Sequence, residues 1–431
     1  MENAHFVPTS GAKFLPLLAS VLLLLLATHQ FAAAQTESVL HEFCSLPNCT
    51  DGETPDSNLI MDAHGNLYGE TFYGGVHDAG TVFELTPSGT ESVLHNFPGG
   101  LYAKPGGGLI QDAKGNLYGT NSSFYHHQPG PYSGTVFELR GKKKFLKRLY
   151  RFAETDPANG EEPSSGLIMD AQGNFYGTTF EGGVLGCNDG TGCGIVFEVT
   201  ATGTAKVLYG FAGGTEGVRP YGGLIMDAQG NLYGTTIYGG SSSGCQYYGS
   251  SCGTVFKLTP DGTETVLHSF AGGSDGEIPD AGLVMDSKGN LYGTTSFGGG
   301  NSSCLSADGC GTVFKLTPNG VETILYSFAG GMDGEEPNAT LVLDAEGNLY
   351  GMTTIGGGSG CYGNEGCGTV FKVSPSGVET ILHRFAGPPN DGAFPGTALN
   401  FDTQGNLYGT TAQGGSGCGG YGCGTVFKVS P

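Results

Sequence analysis

Twelve cysteines fall into six close pairs: Cys44/Cys49, Cys187/Cys193, Cys245/Cys252, Cys304/Cys310, Cys361/Cys367 and Cys418/Cys423. No cysteine is left over, no CxxC spacing occurs, and the intervening residues are mostly Gly, Ser and Asp. The pattern predicts six local disulfides in an exported chain and argues against zinc. A second set of reactive groups lies in acidic loops that end in proline. Examples are Asp51-Gly52-Glu53-Thr54-Pro55, Asp275-Gly276-Glu277-Ile278-Pro279 and Asp333-Gly334-Glu335-Glu336-Pro337. The plainer reading is that Asp-Gly turns the chain and Pro stiffens the entry to the next strand. The sharper one is a carboxylate rim, with Asp275, Glu277, Asp333 and Glu335 as ligand-binding candidates that attract Ca²⁺ or a cationic ligand. No EF-hand spacing supports it, and no other cofactor is expected.

A third candidate region breaks the pattern of its neighbours. It holds Phe124, Tyr125, His126, His127 and Tyr132 in one loop, and seven cations from Arg140 to Arg151. A selective ligand needs asymmetry, so these aromatic and imidazole groups are binding candidates. The plainer reading is drift of a repeat with a solvated basic turn. Adjacent His126 and His127 make a poor metal pair alone. The sequence has no Trp and no Asp-box run, and no catalytic residue is assigned.

What must position these groups is a repeat. Gly-Asn-Leu/Phe-Tyr-Gly occurs seven times, opening at Gly65, Gly115, Gly173, Gly230, Gly289, Gly347 and Gly405, with spacings of 50, 58, 57, 59, 58 and 58 residues. Periods of this size mark stacked supersecondary units. Each unit reads as four short strands. Around residue 290 these are 282–286, 291–295, 311–316 and 321–328, separated by Gly- and Asn-bearing turns. We label them A to D. The segment 37–43 resembles a D strand without its own A, B and C, and 424–429 a C strand without its D. The expected fold is therefore all-β: a seven-bladed β-propeller of four-stranded antiparallel blades, with the N-terminal D strand completing the last blade and removing an open edge.

Repeated residues receive structural roles. Every A strand ends in Asp (Asp62, Asp112, Asp170, Asp227, Asp286, Asp344, Asp402), placed to accept N–H groups of the following turn. His41, His95, Tyr150, Tyr209, His268, Tyr326 and His383 share one D-strand position. That exchange suits a flat ring in a half-buried site rather than a metal ligand. Function is expected on the face that carries the long B–C and D–A loops.

Residues 1–34 read as a signal peptide, with Lys13, an apolar run from Phe14 to Ala27 and Ala32-Ala33-Ala34 before the mature domain, 35–431. The net charge of −22 disfavours nucleic acid and suits solubility outside a cell. No second apolar segment follows, so no membrane span is expected after signal removal, and the protein is expected to be a secreted monomer.

The recurring string GTVFKLTPxGxETVLHSFAGG…GNLYGTT, over residues 37–431, resembles the Gloeo/Verruco (GloVer) tandem repeat of exported bacterial proteins. The resemblance implies an extracellular or envelope protein, often anchored at its C-terminus; this sequence carries no such tail. It implies no reaction and no catalytic residues. Two functions are expected to compete. One is a secreted, non-enzymatic propeller that binds protein or polysaccharide through its long-loop face. The other is an extracellular hydrolase or lyase using loop carboxylates, assisted by Ca²⁺.

Overall fold

In a computed structural model, the described residues are Met1 and 36–430, apart from 99–103, 123–133, 142–144, 153–155, 164, 185–186, 188–190, 243–244, 246–250, 301–303, 307, 359 and 362–364. Residues 2–34 of the segment read as a signal peptide, and the loop with Phe124, Tyr125, His126, His127 and Tyr132, lie outside them. The period of two in apolar residues becomes strands, and no α-helix occurs among the described residues. Seven sheets have the order A-B-C-D; in the fifth these are Val284–Met285, Leu291–Thr295, Thr312–Leu316 and Glu322–Ser327. The chain is a seven-bladed β-propeller, as its repeat predicts.

The last blade joins both ends of the chain. Its A, B and C strands are Asn400–Phe401, Leu407–Thr411 and Thr425–Ser430, and its D strand is Thr36–Glu42. Thr36 lies opposite Ser430, and Val39 opposite Phe427. The last blade also meets the first. The Ala398 N–H donates to Asn58 Oδ1 at 2.7 Å, and Asn400 Nδ2 donates to the Leu59 carbonyl at 2.6 Å.

Between blades the core is a repeated aromatic contact. The Phe that ends one D strand meets the C-strand Phe of the next blade edge-on. The pairs are Phe43–Phe83, Phe97–Phe137, Phe152–Phe197, Phe211–Phe256, Phe270–Phe314, Phe328–Phe371 and Phe385–Phe427, with centroids 5.0 to 5.4 Å apart. The B strands carry Gly at the one position facing this pair. A Cβ on Gly293 would lie 2.7 Å from Phe314 and 2.9 Å from Leu283.

The A–B turns are closed as the repeated Asp predicts. Asp286 Oδ1 accepts the N–H groups of Lys288 and Asn290, both at 2.9 Å. Its Oδ2 accepts Asn290 Nδ2 at 2.7 Å and the Tyr292 hydroxyl at 3.0 Å. Gly289 takes a φ of 78°, which a Cβ would disfavour. Burial alone would raise the Asp286 carboxyl, but these donors together hold it below its usual range. Asp286→Ala should cost about 1–2 kcal/mol in urea denaturation. Asp286→Asn, which keeps the acceptor at Oδ1 but turns Oδ2 into a donor facing Asn290 Nδ2, should recover only part of that loss.

Candidate functional site

The long loops meet around the channel. Each D–A loop pairs with the start of the following B–C loop, as in Glu53 with Tyr73 and Glu277 with Phe297. In five cases the residue before the loop proline also bonds back to the preceding blade. The N–H groups of Thr54, Arg219, Ile278, Glu336 and Phe394 donate to the carbonyls of Cys423, Cys193, Cys252, Cys310 and Cys367, at 2.8 to 3.1 Å. Each acceptor is the second cysteine of a disulfide. All six cysteine pairs bond as their spacing predicts.

The same five residues adopt left-handed φ values of 55° to 58°, unusual for non-glycine residues. Such conformations persist where the surroundings over-determine them. Here the cysteine carbonyl on one side and the proline on the other do so. The proline seats against the glycine that opens the preceding C strand: a Cβ on Gly253 would lie 2.5 Å from Pro279. The next residue is thereby aimed at the channel.

That next position varies between blades. It is Asp56, Gly106, Tyr221, Asp280, Asn338 and Gly396 among the described residues. All six line a central cavity of about 450 Å³. The Ser296 hydroxyl donates to Asp280 Oδ1 at 2.7 Å, and the Thr354 hydroxyl to Asn338 Oδ1 at 2.8 Å. A Cβ on Gly396 would lie 3.7 Å from Asn338 Oδ1 and 3.8 Å from Asp56 Oδ1, so this glycine leaves a gap between amide and carboxylate. Tyr221 is 42% exposed, with its ring edge-on to Phe180. Among the described residues no His, Lys, Arg or Cys lines the cavity.

Solvent reaches Asp56 and Tyr221 along the channel axis, but protein surrounds them on all sides. Burial raises the Asp56 carboxyl, and it raises Asp280 to about 7. Burial first, then the Asp56 and Asp280 carboxylates, push the Tyr221 hydroxyl up to about 12. The mouth therefore offers acceptors, one amide and an aromatic face, and no positive group.

Behind the wall sits Glu70, where other blades have Thr, except for Met352. Two of these threonines tie neighbouring blades: Thr120 donates to the Ser165 carbonyl at 3.1 Å and Thr235 to the Ala281 carbonyl at 3.0 Å. Glu70 instead accepts the Gly108 N–H at Oε2, 3.1 Å, and its buried Oε1 has no partner.

The four carboxylate candidates lie away from the channel. Asp275 and Asp333 accept the Ala271 and Ala329 N–H groups at 2.6 and 2.7 Å, bracing their own loops. Glu335 Oε2 accepts the Leu305 N–H of the disulfide loop at 2.8 Å, and Glu277 is buried at the equivalent position. The four carboxylates are thus built into the loop framework. Lys104, in the second blade, places its ammonium 4.3 Å from the Phe72 ring and 3.4 Å from the Tyr73 ring. Sequence reasoning misses the channel-mouth residues. The available signal is the column directly after each loop proline, which changes chemical class from blade to blade.

Ring closure, blade count and repeat define a seven-bladed propeller with a disulfide-braced loop face. The Gloeobacter/Verrucomicrobia repeat matches residues 58–306 and 243–431, and the chain belongs to that family. No curated protein sequence matches it. Among solved structures it is similar to the extracellular domain of a putative hybrid two-component system from B. thetaiotaomicron, at 12% identity and a TM-score of 0.54, over 92% of this chain and 41% of that one. It is also similar to a gluconolactonase from Xanthomonas campestris, at 14% identity and a TM-score of 0.42, over 93% of each. The first likeness is one of fold.

Glu70 gives a pH-dependent test. Burial raises its carboxyl to about 8, against the Gly108 hydrogen bond, from 4.5. A folded value above the unfolded one means that its contribution is fully present below about pH 4.5 and is lost as pH rises through 8. Glu70→Thr should therefore stabilise by roughly 1–3 kcal/mol at alkaline pH and by less in acid. Urea denaturation at both ends of that range measures the difference.

Proposed function

We propose that the protein is a secreted, non-enzymatic binding propeller that takes a glycan at the channel mouth of its long-loop face. The observation that carries this reading is the composition of the mouth. Asp56 and Asp280 accept hydroxyl protons, Asn338 donates and accepts, and the accessible Tyr221 ring offers a face on which a sugar can stack. The described lining supplies no nucleophile paired with a base and no cation for an oxyanion. Exposed apolar side chains on the surrounding loops, Leu46, Val184, Leu305, Met332 and Tyr421, suit a polymer or a glycosylated protein lying across the face. Six disulfides support an oxidising, extracellular location. Among the described residues no helix is long and apolar enough to cross a membrane.

A second reading has one observation in its favour. Asp280, raised to about 7, can hold a proton near neutral pH while another carboxyl shares the same cavity. A hydrolase or lyase could use that proton on a leaving group. The oxygen-only donor set also fits Ca²⁺ better than a softer metal.

Calorimetric titration with a panel of oligosaccharides, with calcium and with chelator, separates these cases. Gly396 has no left-handed backbone and only ordinary contacts beside its Cβ position, so Gly396→Leu fills the mouth without strain. Glycan binding should weaken at least about tenfold, or 1.4 kcal/mol, in Gly396→Leu and in Tyr221→Ala, with thermal stability unchanged. Binding unaffected by both variants would place the ligand elsewhere. Release of reducing ends during titration would favour the hydrolase.

A further inference from the structure

The outer rim of the ring holds a second pattern, five times over. The D strands of five blades carry a Glu at or next to their first residue: Glu37, Glu91, Glu264, Glu322 and Glu379. Each faces the D–A loop that leaves the preceding blade and the ring on that blade's D strand. The sets are Glu91 with Asp51 and His41, Glu264 with Glu216 and Tyr209, Glu322 with Asp275 and His268, Glu379 with Asp333 and Tyr326, and Glu37 with Asp391 and His383. In two of them, His268/Asp275/Glu322 and Glu37/His383/Asp391, the donor atoms all lie within 4.8 Å of one another.

Four of the five loop acids are fixed by backbone N–H groups, which favour a carboxylate over a carboxylic acid. Asp51 accepts the Ser45 N–H at 2.8 Å, Asp275 that of Ala271 at 2.6 Å, Asp333 that of Ala329 at 2.7 Å and Asp391 that of Ala386 at 2.7 Å. The facing Glu has the opposite condition: in all five copies its Oε1 is buried and has no hydrogen-bond partner. Two anions cannot share such a site, and a proton on the Glu turns repulsion into a hydrogen bond. The tyrosines do not remove the need, and at Glu322 and Glu37 the His268 and His383 rings oppose the shift without cancelling it. Tyr209 and Tyr326 donate to Glu216 and Asp333, at 2.7 and 2.8 Å, and carry no charge.

The two remaining junctions are sealed differently. They lie on either side of the second blade. There the register position of the Glu holds Leu146, opposite Leu139, and Ala205, opposite Val199. Leu146 packs into the apolar cluster between the first and second blades, and Ala205 beside Tyr150 into the next.

We propose that five of the seven blade junctions are closed by a proton shared between a strand Glu and a loop carboxylate, so that the ring is tightest in mild acid and loosens above neutral pH. The groups facing these protons are the loop acids named above, the His41, His268 and His383 rings, Glu42 beside His41, and Arg384, which opposes the shift at Glu379. Burial first, and the loop acid second, raise all five Glu carboxyls to about 7 from 4.5. Folded values above the unfolded one contribute stability that is complete below about pH 4.5 and is lost as pH rises through 7. Such a ring suits a mildly acidic exterior.

The test is thermal unfolding of the full chain at pH 5 and pH 8, in chelator. Gln keeps the shape of the protonated Glu and its donor, so replacing all five Glu by Gln should raise Tm at pH 8 by roughly 5 °C and leave it nearly unchanged at pH 5. If the fivefold variant does not fold, Glu264→Gln, at a junction with no His or Arg among its facing groups, should give a smaller rise at pH 8 only. Glu264→Ala should give none. An unchanged pH slope in the Gln variants would overturn the proposal. So would recovery of the wild-type Tm at pH 8 on adding millimolar calcium or magnesium, which would put a cation in the place of the proton.

Discussion

The edge-on phenylalanine contact between successive blades is the constraint on which the rest of the molecule depends. Four-stranded sheets of this kind cannot bury both faces alone, and seven such contacts let each sheet cover its neighbour. Their near-identical geometry fixes the angle between blades, and seven equal steps close the circle. One contact is made by Phe43, which follows the N-terminal strand, with Phe83 of the first blade. The closing strand thus contributes its own share of core and not merely a set of backbone hydrogen bonds.

With the blades fixed, the loops gain a rigid base. A cysteine carbonyl, a strained residue and a proline act together in five loops and direct one residue each toward the axis. Symmetry supplies the position and the sequence of each blade supplies the group. The mouth is consequently asymmetric, with acids on the first and fifth blades, an amide on the sixth, an aromatic ring on the fourth and glycines on the second and seventh. The rim shows the converse case, where one solution is repeated at five junctions and replaced by apolar packing on both sides of the divergent second blade.

Much of the fold is legible because its signals are local or periodic. The split repeat at the two ends foretells the pairing of Val39 with Phe427, and the short cysteine spacings leave no competing partners. The turn aspartates are readable from one position, although the Tyr hydroxyl and Asn amide that complete each carboxylate lie beyond the turn. The site is less legible. Asp56, Tyr221, Asp280 and Asn338 stand far apart in sequence, and only closure of the ring brings them to one cavity. The shared D-strand ring is the flat, half-buried group that its exchange of His and Tyr predicts, since His268 packs edge-on against Phe270 at 4.7 Å. Its reach to a loop acid, and the Glu arriving from the neighbouring blade, are properties of a junction that one repeat does not contain. Asp275 and Asp333 have the composition of a solvent-facing rim, yet their carboxylates are engaged by their own loops.

The most direct test compares two equivalent phenylalanines by equilibrium denaturation. Phe270 lies inside the fourth and fifth blades' contact, and Phe43 lies on the segment that closes the ring. If closure holds the structure together, Phe43→Ala and Phe270→Ala should each cost about 3–5 kcal/mol in a single transition. A Phe43→Ala variant that loses under roughly 1 kcal/mol, while Phe270→Ala loses the full amount, would contradict it.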